Sequence, residues 1–384
     1  MIKAIIMAGG KGSRIRPLTL IRPKPMIPVA NRPMIDYIIE NLNKAGFKDL
    51  IVTLNYLASH IKKRLKKEYK DFNIKYSLEN QPLGTAGGVK KTEKYIDDTF
   101  LVLSGDVLID LDLKKVLSFH HEKKAIATLV LTPVEDPSHF GVALLDDNQQ
   151  IIRFLEKPSP EEVFSNIANT GTYILEPEIF DYIQEKDAEV DFSKDVFPKL
   201  IEESAGIYGY TLDGYWNDVG RPETYLKANQ DVLQQKISPK PPGKKLKEKV
   251  GVFGDIWVGK NVLIDNKVRI IGPVVIGDGC IIEKGSKLEQ NTVLGNNVHL
   301  EENSTVKGSV ILSDTLVKSN AYLEDCIIDS KCIISSFSVI EKSALLGSSV
   351  NVGSNSVIKS DRSITNKIKI LPHSTVDSDY PLKV

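Results

Sequence analysis

The residues with chemical content in this 384-residue chain are glycines, lysines, arginines and carboxylates. Ala8-Gly9-Gly10-Lys11-Gly12-Ser13-Arg14 follows the apolar run Ile2–Met7 and leads into Arg16-Pro17-Leu18-Thr19. Glycines let a main chain bring its N–H groups close to phosphate oxygens and supply positive φ where a turn requires it. Lys11, Arg14 and Arg16 add charge-assisted donors. The loop is neither a dinucleotide fingerprint, lacking the third glycine, nor a P-loop, lacking Gly-Lys-Ser/Thr. Lys24 stands between Pro23 and Pro25, which pin its backbone. Further on come Glu79-Asn80-Gln81-Pro82-Leu83-Gly84-Thr85, Gly105-Asp106, Gly141, Glu156-Lys157-Pro158, Asn169-Thr170-Gly171 and Trp216-Asn217-Asp218. No Ser/His/Asp or Cys/His set stands in a catalytic context, and His60, His120 and His121 read as residues on helix faces. What remains is the toolkit of phosphoryl chemistry, where catalysis is positioning and charge neutralisation. Mg²⁺ needs only one or two protein carboxylates. Asp106 and Asp218 supply two, and it is their combination with the loop that points to a metal, since either alone reads as a loop cap.

Elements able to position these groups are legible in the apolar pattern. Strands are predicted at 2–7, Leu50–Leu54, Asn73–Leu78, Phe100–Leu103 and Ala125–Leu131. Helices are predicted at Pro33–Ala45, Ala58–Tyr69, Thr85–Tyr95, Leu113–Glu122 and Pro222–Leu233. This alternation predicts a mostly parallel sheet with helices on both faces, and in such sheets ligands lie beyond the carboxyl ends of the strands. The loops named above fall there.

Length favours two domains. Lysine plus arginine equals aspartate plus glutamate at 50 each, which argues against nucleic acid or an anionic membrane as partner. Cys280, Cys326 and Cys332 read as buried hydrophobes. With no leader and no run of membrane-spanning length, the expectation is a soluble cytoplasmic protein.

Ile237–Lys249 holds three prolines and five lysines, too polar for a core, and reads as a linker. Beyond it aliphatics recur every six residues: Val258, Ile264, Ile270, Ile276, Ile282, Leu288, Leu294, Leu300, Val306 and Leu312. After a slip of four the period resumes at Leu316, Tyr322, Ile328, Ile334, Ile340, Leu346, Val352 and Ile358. A sustained period of six predicts a solenoid, about eighteen segments making roughly six three-sided coils. The period reads as lost from Asp361. The expected domains are therefore 1–235, a linker 236–249, a solenoid 250–360 and a tail 361–384.

These motifs, in this order, resemble the signature of the sugar-1-phosphate nucleotidylyltransferases. The six-residue repeat is similar to the left-handed β-helix many members carry, so the resemblance spans nearly the whole chain. It implies an α/β, Rossmann-like mostly parallel sheet domain followed by a left-handed parallel β-helix. It also implies in-line attack of a sugar 1-phosphate on the α-phosphorus of a nucleoside triphosphate, releasing pyrophosphate. By the resemblance Ala8, Gly9, Gly10, Lys11, Gly12 and Ser13 cradle the triphosphate with Arg14, and Gly84 and Thr85 belong to the nucleotide site. Lys24 stabilises the α-phosphate and Asp106 and Asp218 hold Mg²⁺. Lys157 meets the sugar phosphate, with Gly141, Glu156, Asn169 and Thr170 on the sugar.

The family reads its base about five residues before this glycine, which is Glu79 before Gly84. A carboxylate is acceptor-only and matches guanine's adjacent N1–H and 2-amino donors. If the loop slides by two, Gln81 does the reading, and its amide suits uracil or thymine. The resemblance is closest to mannose-1-phosphate guanylyltransferases, so GTP and mannose 1-phosphate are expected. The alternatives are a glucose-1-phosphate uridylyl- or thymidylyltransferase, an added acetyl-CoA-dependent activity in the β-helix using His299 or His373, and a non-catalytic sensor of nucleotide sugars. The flat face of the solenoid predicts a homo-oligomer.

Overall fold

A computed structural model describes residues 2–183, 189–247 and 251–380. These fall into two compact units. The first comprises residues up to Lys11, Pro23–Met26 and Met34–Asp218. Its centre is β1 (Lys3–Ala8), an apolar run because helices cover both faces of a parallel sheet. Successive side chains alternate: Ile5 packs with Ile51 and Val102, while Ala4 and Ile6 pack with Ile35, Ile39 and Leu103 on the other face. β2 (Asp49–Leu54) and β4 (Phe100–Ser104) flank β1 in parallel, and β3 (Asn73–Leu78) lies beyond β2. β5 (Val107–Asp110) stands apart from this sheet and pairs with β11 (Tyr215–Asp218). Ala8 pairs with Leu54 and Met7 with Ser104, so neighbouring strands end together and their loops emerge at one edge. On the far side of β4 the sheet turns antiparallel through β9 (Ile167–Leu175), which also pairs with β6 (Ala127–Pro133). β7 (Gly141–Leu145) and β8 (Ile151–Glu156) complete that side, and β10 (Ile207–Thr211) runs parallel to β6.

Helices α1 (Met34–Ala45), α2 (Ala58–Glu68), α3 (Gly84–Lys90) and α4 (Leu113–Lys123) lie close to their predicted bounds except α3. It stops early because the Thr92 hydroxyl and Thr92 N–H both donate to the Val89 carbonyl, and Glu93–Tyr95 forms a separate 3₁₀ turn. Two later helices are α5 (Phe197–Glu202) and α6 (Pro222–Leu233).

The second unit comprises Gly12–Arg22, Ile27–Pro33 and the chain from Val219 onward. α6 holds the short hairpin Pro28–Val29/Arg32–Pro33: Tyr225 donates its hydroxyl to the Pro28 carbonyl, and the Ala30 N–H donates to Asn229 Oδ1. The rest is a solenoid of three sheets, of eight, eight and seven strands among the described residues, all parallel except the antiparallel edge strand Lys244–Lys245, consistent with a left-handed β-helix. An aliphatic ladder fills the interior, as its period requires. Corners are made by residues of positive φ three places after a ladder residue, mostly Asn, Asp or Ser, among them Asn291, Asn297, Asn303, Ser343 and Asn355.

Three details differ from the sequence reading. The frame does not slip once by four. Two coils are one residue short, with Leu294 pairing Ile311 and Ile311 pairing Ile328, each 17 residues apart, where Ile276 pairs Leu294 at 18. Their corners turn one residue early, at Gly308 and Asp325. The ladder therefore passes through the fully buried Ile311, Val317 and Leu323, while Tyr322 faces outward. Second, the repeat does not end at residue 360: strands Ser363–Ile364, Lys369–Ile370 and Thr375–Val376 continue the sheets, and His373 is a corner residue of positive φ. Residues 381–384 of the expected tail lie outside the described residues. Third, within the expected linker, Lys244–Lys245 is already a strand paired with Trp257–Val258, while residues 248–250 lie outside the described set.

Candidate functional site

Strand pairing carries the key loops one residue past the sheet edge. The Gly105 N–H donates to the Met7 carbonyl and the Glu79 N–H to the Leu54 carbonyl, both at 2.8 Å. Position 105 demands glycine, since a Cβ there would lie 2.6 Å from the Met7 carbonyl oxygen. Asp106 follows directly. β11 runs antiparallel to β5 with Asp218 opposite Val107, which brings the second aspartate beside the first.

Lys24 closes the group. Its Nζ lies 2.8 Å from Asp106 Oδ2 and 3.3 Å from Asp218 Oδ1, and the residue is 4% exposed. Burial alone would lower the pKa of this ammonium. The two carboxylates outweigh it and hold Lys24 above its ordinary value, so it stays charged at neutral pH. The Ser104 hydroxyl donates to Asp106 Oδ1 at 2.6 Å. Ser104 was not singled out in the sequence, although its place two residues before the aspartate at a strand end was visible.

Glu79 occupies a glycine-lined recess. A Cβ on Gly9 would lie 3.4 Å from Glu79 Oε1, and one on Gly88 2.9 Å from it. Burial raises the pKa of this carboxyl despite hydrogen bonds from Thr53 and the Leu83 backbone and the nearby Lys91 charge. Gln81, by contrast, is exposed.

The sugar-side candidates are linked to this centre through aromatic residues. A Cβ on Gly171 would lie 3.1 Å from Ser104 Cβ, which sets Asn169-Thr170-Gly171 against the strand end before Asp106. Trp216 donates Nε1–H to the Thr170 carbonyl at 3.1 Å and meets Phe140 edge-on at 5.3 Å. The Phe140 carbonyl accepts from the Lys157 N–H, and Gly141 pairs with Glu156. Lys157 Nζ is 3.2 Å from Glu156 Oε1 on a side chain 59% exposed.

Several candidates are committed to the fold. Thr170 is buried and donates its hydroxyl to the Val130 carbonyl. Asn169 donates to the Tyr173 hydroxyl, and its Oδ1 accepts from the Gly171 N–H. Thr85 donates to Asp191 Oδ2 and accepts from the Phe192 N–H. The Val190 carbonyl takes the N–H groups of Ala86 and Gly87, and Gly84, at φ +73°, could carry no side chain against Val190. Ala8 is buried at the end of β1 and Gly10 is exposed. Lys11, Ser13 and Arg14 are exposed around the turn that begins at Gly12, whose φ is +61°, and the Thr19 hydroxyl donates to the Gly12 carbonyl.

Two acceptor-only carboxylates converging on one cationic nitrogen are a donor set that also suits a divalent cation completed by phosphate oxygens and water. Among the described residues no group of three or more His, Cys, Asp or Glu side chains could hold a metal by itself.

A family model described as Nucleotidyl transferase matches residues 3–235, and one described as GMPPB C-terminal domain matches residues 270–383. The mannose-1-phosphate guanylyltransferase catalytic subunit beta of Drosophila melanogaster is 35% identical over 387 residues, covering 99% of this chain and 95% of that protein. A UTP–glucose-1-phosphate uridylyltransferase of Synechocystis is 37% identical over 299 residues, covering 70% of this chain and 77% of that protein. The crystal structure of HddC from Yersinia pseudotuberculosis complexed with GMP-PN matches with a TM-score of 0.52 at 29% identity, over 60% of this chain and 99% of that one.

Proposed function

Because the chain belongs to the nucleotidyl transferase family, we propose that it transfers GMP from GTP to mannose 1-phosphate, giving GDP-mannose and pyrophosphate. The observation that carries the choice of base is Glu79, a carboxylate set between Gly9 and Gly88 where a planar ring can approach without a Cβ in the way. It accepts from the two adjacent guanine donors. The match of residues 270–383 to the GMPPB C-terminal domain and the full-length similarity to the Drosophila enzyme support the same reading.

In the reaction an oxygen of the sugar phosphate attacks the α-phosphorus in line and pyrophosphate leaves. Lys24 places a fixed positive charge where negative charge builds on the α-phosphate. Asp106 and Asp218 would hold Mg²⁺, which when bound neutralises phosphate charge. Gly9 to Ser13 with Arg14 would receive the leaving pyrophosphate, and Lys157 the incoming phosphate. The carbonyls, glycines and outer faces of the Asn169–Gly171 and Gly84–Thr85 stretches shape the site, since their side chains are engaged within the fold.

A matrix of nucleotides against sugar phosphates, read by pyrophosphate release, tests the assignment. GTP with mannose 1-phosphate is expected to be the best pair. The similarity to the Synechocystis enzyme makes UTP with glucose 1-phosphate the competing reading, and UTP or dTTP used far better than GTP would overturn ours. Glu79→Gln is expected to cut kcat/KM for GTP about tenfold to a hundredfold, by leaving a guanine donor facing an amide donor, and not to lower UTP turnover. Because burial raises the pKa of Glu79, KM for GTP is expected to rise on acidification at a higher pH than an exposed glutamate would give; Glu79→Gln removes that limb.

An added acyltransfer site finds little support. His299 Nε2 is 2.7 Å from Glu283 Oε1, but the adjoining groove carries Asp265, Glu283 and Glu302 against Lys284, which repels a polyphosphate-bearing donor. The solenoid exposes Leu263, Ile281 and Ile333, 64%, 38% and 37% accessible, along one sheet. We propose that a second copy of the chain covers them, and light scattering at micromolar concentration is expected to give an oligomer; a monomer refutes it. Among the described residues no helix is long and apolar enough to cross a membrane, and a cytoplasmic location is part of this proposal.

A further inference from the structure

The unit that contains the solenoid also contains Gly12–Arg22 and Ile27–Pro33, the two stretches that flank Lys24 in the chain. Three contacts tie these stretches to one edge of one solenoid sheet. Arg22 Nη2 donates to Asp329 Oδ1 at 2.7 Å and to Ser330 Oγ at 3.4 Å. Asn31 Nδ2 donates to the Leu294 carbonyl at 2.7 Å. A Cβ on Gly347 would lie 2.9 Å from Pro17 Cγ, so the ring of Pro17 rests on that glycine. The register Leu294–Ile311–Ile328–Leu346 stacks the three anchors on the same side of the first, third and fourth of four successive coils. Along this edge glycine follows the ladder residue at 259, 277, 295 and 347, and at 329 an aspartate takes that place.

The ion pair is sequestered. Asp329's side chain is 0% exposed and Arg22's 14%, and Asp329 Oδ1 also accepts from the Ser330 N–H. Arg22 Nη1 and Asp329 Oδ2 are buried with no hydrogen-bond partner among the described residues. Each charge therefore depends on the other, and losing one leaves its partner buried and unpaired. Between Arg22 and Lys24 stands only Pro23, whose ring fixes φ, so a movement of Arg22 reaches Lys24 with little slack.

We propose that Asp329, in the solenoid, is a positioning residue for nucleotidyl transfer: it holds Arg22 and thereby fixes the short, stiff link that delivers Lys24 to the α-phosphate. This rests on the reading that Lys24 acts on that phosphate. The β-helix is then part of the catalytic scaffold.

The test uses the full-length chain. Asp329→Asn keeps the side-chain shape and removes the charge. It is expected to lower kcat about tenfold to a hundredfold, to change KM for GTP less than about threefold, and to speed hydrogen exchange across Gly12–Arg22. In a Lys24→Met background the same substitution is expected to change kcat less than about twofold, because the group it acts through is gone. Equal losses in both backgrounds, or an unaltered kcat in the native background, overturn the proposal. If Asp329→Asn does not fold, Arg22→Lys, which keeps the charge but not the guanidinium fork, carries the same comparison. Should no substrate pair yield pyrophosphate from the native chain, the functional reading fails. Exchange across Gly12–Arg22 then decides the tether alone, and native rates in Asp329→Asn refute it.

Discussion

Asp106→Ala is expected to abolish turnover with every nucleotide, lowering kcat at least about a thousandfold. Asp106 takes a hydrogen bond from Ser104 on one oxygen and meets Lys24 with the other, so its removal strips the site of a fixed anion at the point where cation and phosphate must meet. The loss is a charge effect rather than one of shape. Asp106→Asn, which is isosteric, is therefore expected to fall nearly as far, and Ser104→Ala, which only frees one oxygen, to cost far less. Pyrophosphate release across the nucleotide panel measures all three. An Asp106→Ala enzyme within tenfold of native kcat would remove this residue from the chemistry. Because the defect is common to all nucleotides, it separates from Glu79→Gln, which discriminates among them.

Lys24→Met is expected to cost kcat about a hundredfold to a thousandfold while the chain stays folded. The lysine is buried between two carboxylates, so the variant has a second signature. Without the ammonium, Asp106 and Asp218 face each other as like charges, which raises the pKa of one of them. The residual activity of Lys24→Met is then expected to fall on acidification at higher pH than that of the native enzyme. In the native enzyme the Lys24 ammonium is held above its ordinary pKa and offsets the charge of both carboxylates. A pH profile of the variant parallel to the native one would show that Lys24 does not neutralise the pair.

Both arguments concern residues that stood out in the sequence, and the reason is local. Strand ends, glycine turns and helix starts are written in runs of six to twelve residues. Asn73–Leu78 and Pro222–Leu233 came out as read. The carboxyl-end rule then placed Gly9, Glu79 and Asp106 on one edge before any contact was known. What local patterns could not give was the frame of the solenoid where both candidate frames are apolar. Leu312, Leu316 and Tyr322 are large and mainly apolar like Ile311, Val317 and Leu323, and the early corners at Gly308 and Asp325 set which of them face inward. Past residue 360 Ile364, Ile370 and Val376 keep the spacing of six, but Ile368 and Leu371 fall off it and charged residues such as Asp361, Arg362, Lys367 and Lys369 crowd the outer positions, so the ladder did not stand out. The internal use of Thr85, Asn169 and Thr170 was also invisible, because their partners at Asp191, Tyr173 and Val130 are set by tertiary packing. The pairing of Arg22 with Asp329 spans 307 residues and has no short-range sign at all.

The two shortened coils give the solenoid a property of a ruler. Each rung adds about 4.8 Å along the stack, and dropping one residue at Gly308 and again at Asp325 turns a corner sooner without removing a rung. The spacing of the anchors at Leu294, Asp329 and Gly347 is thus a whole number of rungs, whatever the residue count between them. Inserting or deleting one full turn between Leu294 and Gly347 would carry an anchor about 4.8 Å from its mate, whereas turns added after Gly347 would leave all three in place. In an evolving lineage, the length of this domain is therefore free to drift at its far end and held constant where it touches the beginning of the chain.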